Sequence, residues 1–375
     1  MMKGWCGMTN QFREMKINVG PQHPSTHGVL RLILNLDGEI IKSCTPEVGY
    51  LHRGIEKMAE NRTYLQYLPV VDRIDYLGGF FNSYVYCDAI EKIANIEVSK
   101  KAQYIRVLCM ELNRIASHLL WLGTYLLDLG ASSPLFYAFR DRERILHIFE
   151  ELTGQRMMYN YFTFGGVRYD IPIEILDKMQ RFVNDMPACI EDYEAIITDN
   201  PIFKSRTLGK GLLPKNKAIQ YSITGPNLRA SGLNLDFRKS NPYLVYSKLD
   251  FEPAIEYDCD AFSRYKVRIA ELYSSLAIVT QCVNYIKSSK EEVLNKTVKP
   301  IALNINGEYT SSVEAPRGLT SCTVKAEGRN PLRVKWRTGS YYAVQVLPEL
   351  LKDAEMADLM AIFGSLDVIL PEVDK

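Results

Sequence analysis

Two histidines share one short loop: the segment Gly20-Pro-Gln-His-Pro-Ser-Thr-His-Gly28 places His23 and His27 four residues apart. Only five histidines occur in the chain, the others being His52, His118 and His147. An imidazole titrates near neutrality, so it can bind a metal, donate or accept a proton, or simply satisfy turn backbone. A metal pair at this spacing needs a helix to stack the two rings. Pro24 disfavours that helix, and no carboxylate stands beside the pair as a third ligand. A fixed proton donor and an ordinary turn histidine both stay open. Pro24 restricts its own φ and that of His23, and glycines allow tight backbone at both ends, which makes the loop rigid for its length.

Asp128 is the second suggestive residue. It closes an apolar stretch four residues after Thr124, so on a helix the two side chains share a face. A carboxylate in such surroundings is costly unless paired or hydrogen-bonded. It either orients a cationic or imidazole partner or reaches solvent from the helix end; His118, ten residues earlier, lies on a different face. Tyr76 ends the segment Asp72-Arg-Ile-Asp-Tyr76 and offers a phenol that can donate to a carbonyl while its ring packs in an apolar pocket. With 23 tyrosines in the chain, residue type alone does not mark it out. Arg140-Asp-Arg-Glu-Arg144 reads as a solvated helix face with internal ion pairs, or as part of an inter-subunit network flanked by Phe136, Tyr137 and Phe139.

Other chemistries lack their equipment. No GxxxxGK[ST], GxGxxG or GxSxG motif occurs, which removes the usual loops for nucleotide, hydride and acyl transfer. Eight cysteines are present, none within four residues of another, so no CxxC pair exists and the chain is expected to bind no metal. Scattered single thiols suit a reducing compartment. An iron–sulfur cluster beside this chain would take its thiolates from a different one.

The elements that must position these residues can be read from periodicity. Residues 15–19 and 29–36 alternate as half-buried strands, Asp37-Gly38 signals a tight turn, and 39–44 returns as a partner strand. Helical spacing takes over in 54–66, 76–93, 101–129, 137–153 and 173–197, and again in 259–286. Residues 303–347 look β-rich, and a final helix is expected over 347–364. The fold class is therefore α+β, mainly α: a helical core with a small N-terminal antiparallel sheet and a β-rich C-terminal region. We divide it into an extension (1–14) and one domain (15–375), comprising a hairpin region (15–48), a helical core (49–290) and a β-rich end (300–375).

Bulk properties bound the partners. A net charge of +1 without a Lys/Arg run argues against nucleic acid, and 47% apolar with 24% charged residues is a globular balance. Residues 115–129, the most apolar stretch, are interrupted by Ser117, His118, Gly123, Thr124 and Asp128 and fall short of the roughly 20 residues of a spanning helix. Residues 1–16 lack the apolar core of a signal peptide and carry both Arg13 and Glu14, unlike a transit peptide. Attachment to a membrane would come from another protein.

Gly20-Pro-Gln-His-Pro-Ser-Thr-His-Gly-Val-Leu-Arg-Leu32, Gly49-Tyr-Leu-His-Arg-Gly54, Glu60-Asn-Arg-Thr63, Ser117-His-Leu-Leu120, Phe136-Tyr-Ala-Phe-Arg140, Leu228-Arg-Ala-Ser-Gly232, Glu314-Ala-Pro-Arg-Gly318 and Gly364-Ser-Leu-Asp367 follow one another in order. From about residue 15 to the end the chain resembles the quinone-binding core subunit of complex I-type NADH:quinone oxidoreductases. That family is related to the large subunit of nickel–iron hydrogenases, whose fold is thereby expected. Hydrogenases hold their metals with two CxxC pairs, absent here, so a hydrogenase reading is poor; a non-catalytic scaffold is the stronger competitor.

The resemblance implies roles. His27 matches the histidine bonded to one quinone carbonyl, Tyr76 the tyrosine at the other, and Asp128, with Thr124 one turn before it, the carboxylate behind that histidine. Val29, Leu77, Phe80 and Leu127 are compatible with the apolar lining. Arg73 matches an arginine close to the terminal four-iron four-sulfur cluster, which an adjacent small subunit carries. Ubiquinone is then the substrate, taking two electrons and two protons. The implied partners are that small subunit, the thirty-kilodalton-type subunit of the peripheral arm, and the membrane subunit forming the quinone's entrance. The implied place is the matrix side of the mitochondrial inner membrane, with a bacterial or photosynthetic membrane as the alternative. Two departures stand out: Met158 occupies a position near the cluster where many relatives carry histidine, and residues 287–312 form a shorter stretch than is usual in the family.

Overall fold

The computed structural model describes residues 14–21 and 29–375. Three antiparallel strands, β1 (Glu14–Val19), β2 (Arg31–Asp37) and β3 (Ile40–Glu47), form an N-terminal sheet in the order β1-β2-β3. The alternation seen in the sequence sets its faces: Leu30, Leu32, Leu34 and Leu36 are all buried. Asp37 and Gly38 make the turn, with Gly38 at φ +62°.

The helical region follows. It contains α1 (Ile55–Glu60), α2 (Tyr64–Val71), α3 (Gly79–Ile93), α4 (Lys100–Asp128) and α5 (Ser133–Thr153), then the two-residue strands β4 (Phe162–Thr163) and β5 (Gly166–Val167), then α6 (Ile173–Ile197). Four short helices, α7 (Pro201–Thr207), α8 (Lys215–Gln220), α9 (Pro226–Arg229) and α10 (Phe237–Ser240), lead to the long α11 (Ala261–Ser288). A second three-stranded antiparallel sheet, β6 (Ile305–Ala315), β7 (Gly318–Gly328) and β8 (Asn330–Arg337), precedes α12 (Gly339–Leu351) and α13 (Leu359–Ser365). This confirms the α+β, mainly α class.

Three helix expectations need correction, each for a local reason. The single helix expected over 54–66 is two: the Thr63 hydroxyl accepts the Gln66 N–H while the Gln66 side chain accepts the Thr63 N–H, a capping box that starts a new helix. The helix expected from residue 76 begins at Gly79, because residues 72–78 form turns instead. The final helix of 347–364 starts earlier and breaks in two. Between its halves Asp353 adopts φ +61°, and residues 353–356 pair with β3 and the turn before it through Ile41 N to Ala354 O (2.8 Å), Asp353 N to Ile41 O (2.8 Å) and Met356 N to Glu39 O (2.8 Å).

Two large apolar cores result among the described residues. The larger joins α2–α6 and α11 to the inner face of β6–β8, through Val313, Cys322, Val324, Val334 and Trp336. The smaller packs β2 and β3 against α12 and α13, through Leu347, Leu351, Ile362 and Phe363. Helix α4 links the two: it packs on α5 and α11, and also reaches α13, where Trp121 Nε1 donates to Gly364 O (2.7 Å) and Tyr125 Oη to Ala361 O (3.0 Å). No helix among the described residues is long and apolar enough to cross a membrane.

Candidate functional site

His27 and His23 lie outside the described residues, so the site is built from Tyr76 and its neighbours. Tyr76 sits on the turn between α2 and α3. The Asp75 carboxylate accepts the Leu77 N–H (3.0 Å), and Leu77 O accepts a hydrogen bond from Asn113 Nδ2 on α4 (2.8 Å). Asp, which bonds its own backbone two residues on, is the residue type that builds such a turn. Tyr76 is half-buried, and burial raises its phenol above the ordinary value. It is a neutral donor at physiological pH. Several buried tyrosines bond their hydroxyls within the chain: Tyr64, Tyr86, Tyr125 and Tyr161 to backbone carbonyls and Tyr246 to Glu111. No described residue hydrogen-bonds the hydroxyl of Tyr76.

Asp75 is buried behind it, 2.8 Å from the Arg317 guanidinium. Arg317 also donates to Ser117 Oγ on α4 (3.0 Å) and faces Asp367 (3.5 Å). Burial raises the Asp75 carboxyl, with Arg317 opposing. Glu372, in the same buried group, is pushed up to about 7 by burial and by the charge of Asp75. The charge of Arg142, on α5, acts on Tyr76: of the three arginines in the Arg140–Arg144 cluster only Arg142 is buried, while Arg140 pairs with Asp141 and Arg144 reaches Asp185 near the surface. The solvated-face reading therefore holds for Arg140 and Arg144 and not for Arg142.

The other expected residues divide. Leu77 is buried beside Tyr76. Phe80 is 1% exposed, stacked on Tyr159 (4.1 Å between ring centres) and edge-on to Phe149 (5.0 Å). Its ring thus backs the turn from within the core and presents no free face. Thr124 is half-buried, its hydroxyl bonded to Leu120 O (3.0 Å) and Trp121 O (3.2 Å) of its own helix. Asp128 is half-buried at the C-terminal end of α4, and Leu127 beside it is exposed. Asp128 lies eleven residues beyond Ser117, roughly 16 Å along the helix at 1.5 Å per residue. The structure therefore groups Tyr76 and Leu77 at mid-helix and Thr124 with Asp128 at the helix end. Val29 is half-buried against the smaller core. Arg73 is exposed, its guanidinium turned to the Pro69 carbonyl, and Met158 is half-buried in a left-handed conformation (φ +59°).

Sequence reasoning missed a buried ionic network deeper in the helical region. Glu111 accepts from Arg114 (3.1 Å), Arg238 (3.2 Å), Tyr246 (2.6 Å) and Ser275 (2.6 Å). Arg229 pairs with Glu271 and with Glu314 (2.8 Å), and His118 Nε2 meets Glu271 at 2.8 Å. Burial would raise Glu111 and Glu271, but the surrounding guanidiniums win and hold both below the usual range. His118 is lowered by burial, with Glu271 opposing. The one signal in the sequence was the pair of strings Leu228-Arg-Ala-Ser-Gly232 and Glu314-Ala-Pro-Arg-Gly318, which carry the resemblance without declaring a role. Among the described residues no group of three His, Cys, Asp or Glu side chains is arranged to hold a metal ion.

Comparison with known proteins identifies the family. Residues 128–375 match the family described as respiratory-chain NADH dehydrogenase, 49 kDa subunit. The chain is 47% identical to the D-type subunit of the NADH-quinone oxidoreductase of Geobacillus kaustophilus (strain HTA426) over 362 residues, 96% of this chain and 98% of that one. The D-type subunits of the same enzyme from Bacillus thuringiensis (strain Al Hakam) and Bacillus anthracis are each 46% identical over the same spans.

Proposed function

Because the chain belongs to the family of the 49 kDa subunit of respiratory-chain NADH dehydrogenase, one component of a complex I-type oxidoreductase, we propose that it forms the quinone-reduction site of that complex. Electrons reach the quinone from a four-iron four-sulfur cluster on the adjacent small subunit, with Arg73 and Met158 on the side facing it. Ubiquinone is the substrate, and its reduction is coupled to proton translocation by the membrane arm. The chain sits in the peripheral arm, on the matrix side of a mitochondrial inner membrane or the cytoplasmic side of a bacterial one.

The observation that carries this reading is the hydroxyl of Tyr76. It is a neutral phenol, without a hydrogen-bond partner among the described residues, on a turn held by Asp75 and Asn113. A donor fixed in advance stabilises the charge that develops on a quinone oxygen without reorganising at the moment of reduction. His27 contacts the other oxygen and Asp128 stands behind it. Leu77 contributes apolar surface, and Phe80 supports the turn from the core.

The test is Tyr76→Phe in the assembled complex. Quinone reduction should fall at least tenfold, while the amount of complex and NADH oxidation by an acceptor that draws electrons upstream stay unchanged. Full quinone turnover in that variant would favour the scaffold alternative.

A further inference from the structure

Arg317 lies far from Tyr76 in sequence, yet its guanidinium is 1% exposed and touches three separate parts of the molecule. It binds Asp75 on the turn carrying Tyr76 (2.8 Å), Ser117 on α4 (3.0 Å) and Asp367 in the segment after α13 (3.5 Å). Its own backbone is equally fixed. Pro316 and Arg317 form the two-residue turn between β6 and β7, since Ala315 pairs with Gly318. Two other backbone segments press on this turn so closely that no side chain fits between them. A Cβ on Gly225 would lie 2.4 Å from Gly318 Cα, and one on Gly339 would lie 2.2 Å from the Arg317 carbonyl oxygen. Gly225 also sits at φ +70°, a conformation that favours glycine. The Thr224 hydroxyl accepts the Leu319 N–H (2.9 Å) and completes the clamp.

We propose that Arg317 is the positioning residue for Tyr76: this clamped arginine holds the Asp75 carboxylate, and Asp75 in turn fixes the turn that presents the phenol. The proposal rests on Tyr76 serving the quinone. The physical reason is the cost of an unpaired charge. Asp75 is 2% exposed and shares its surroundings with Asp367 and Glu372, so Arg317, 2.8 Å away, is the cation that opposes the effect of burial on this carboxyl, which also accepts the Leu77 N–H. Without the guanidinium, Asp75 is left buried among like charges and takes up a proton more readily, and the turn loses its tie to Arg317 and keeps only that to Asn113. Arg317 touches no substrate in this scheme; it acts through Asp75.

The experiment uses the whole complex and four variants: Arg317→Met, Arg317→Lys, Asp75→Asn and the Arg317→Met/Asp75→Asn pair. Complex content and upstream NADH oxidation serve as controls, and Tyr76→Phe is run alongside. Arg317→Met and Asp75→Asn should each lower kcat/KM for a short-chain quinone at least tenfold. Arg317→Lys, which keeps a cation for Asp75, should recover to within about threefold of the unmodified complex. Because both residues act in one line, the double variant should be no worse than the poorer single. Losses that multiply in the double variant would overturn the proposal, as would an assembled Asp75→Asn complex with normal kcat/KM. Should Arg317→Met fail to assemble, the Asp75→Asn and Arg317→Lys results decide the matter. Normal turnover in Tyr76→Phe would instead sink the quinone reading itself, so the two failures are distinguishable.

Discussion

Glu372→Gln tests the electrostatics behind Tyr76. Glu372 is 1% exposed, its carboxylate receives the Ser340 N–H (3.2 Å), and burial together with the charge of Asp75 pushes it up to about 7 from an ordinary 4.5. Between those two values the unfolded chain has released this proton while the folded chain keeps it. Stability contributed by the group is therefore complete below pH 4.5, falls as pH rises through the window, and levels off above about 7. At about 1.4 kcal/mol per pH unit, the loss across the window is roughly 3 kcal/mol. Glutamine is neutral at every pH and its carbonyl can still accept the Ser340 N–H. The variant should therefore be more stable at pH 8 by up to about 3 kcal/mol, or roughly 4 °C in Tm for a chain of this length, and little changed at pH 4.5. Thermal unfolding of both proteins across pH 4.5–8, followed by circular dichroism, measures the difference. If the two Tm curves stay parallel over that range, Glu372 does not hold its proton in the folded state and the reasoning fails.

Two further outcomes follow from packing. Glu111→Ala strands the guanidiniums of Arg114 and Arg238 and the hydroxyls of Tyr246 and Ser275 in a buried site. A loss of about 3–5 kcal/mol is expected, read as a fall in the urea midpoint with an unchanged slope. Gly225→Ala drives a methyl group against the Gly318 backbone and puts alanine at φ +70°. It should destabilise by at least about 2 kcal/mol, and, by displacing the Arg317 turn, lower quinone turnover more than Glu111→Ala does at matched stability.

Local signals in the chain were enough for most of the elements. The alternating leucines of 30–36 gave the buried face of β2, and helical spacing over 173–197 matched α6 end to end. Such patterns are legible because a strand or an amphipathic helix is decided by the residues within it. Tyr76 was picked out by a resemblance and not by its type, and the sequence placed it at the start of a helix. Only the folded chain shows a turn there, because the Asp75 carboxylate takes the Leu77 N–H and so keeps α3 from beginning before Gly79.

What tertiary structure alone decided is the pairing of distant charges. Read along the chain, Glu111, Arg229, Arg238, Glu271 and Glu314 are ordinary helix-surface or loop residues, yet all five are buried and bonded to one another across long sequence separations. The split of the last helix has the same origin, since residues 353–356 pair with β3 and the turn before it, from the other end of the chain. Sequence spacing carries no record of which remote carboxylate will meet a guanidinium; that follows from where the cores bring the backbone together. Asp128 drew attention through its apolar surroundings, and Tyr76 through the resemblance alone. The support of that tyrosine, Arg317 behind Asp75, came only with the fold, because a buried charge is tolerated where a partner has been delivered to it.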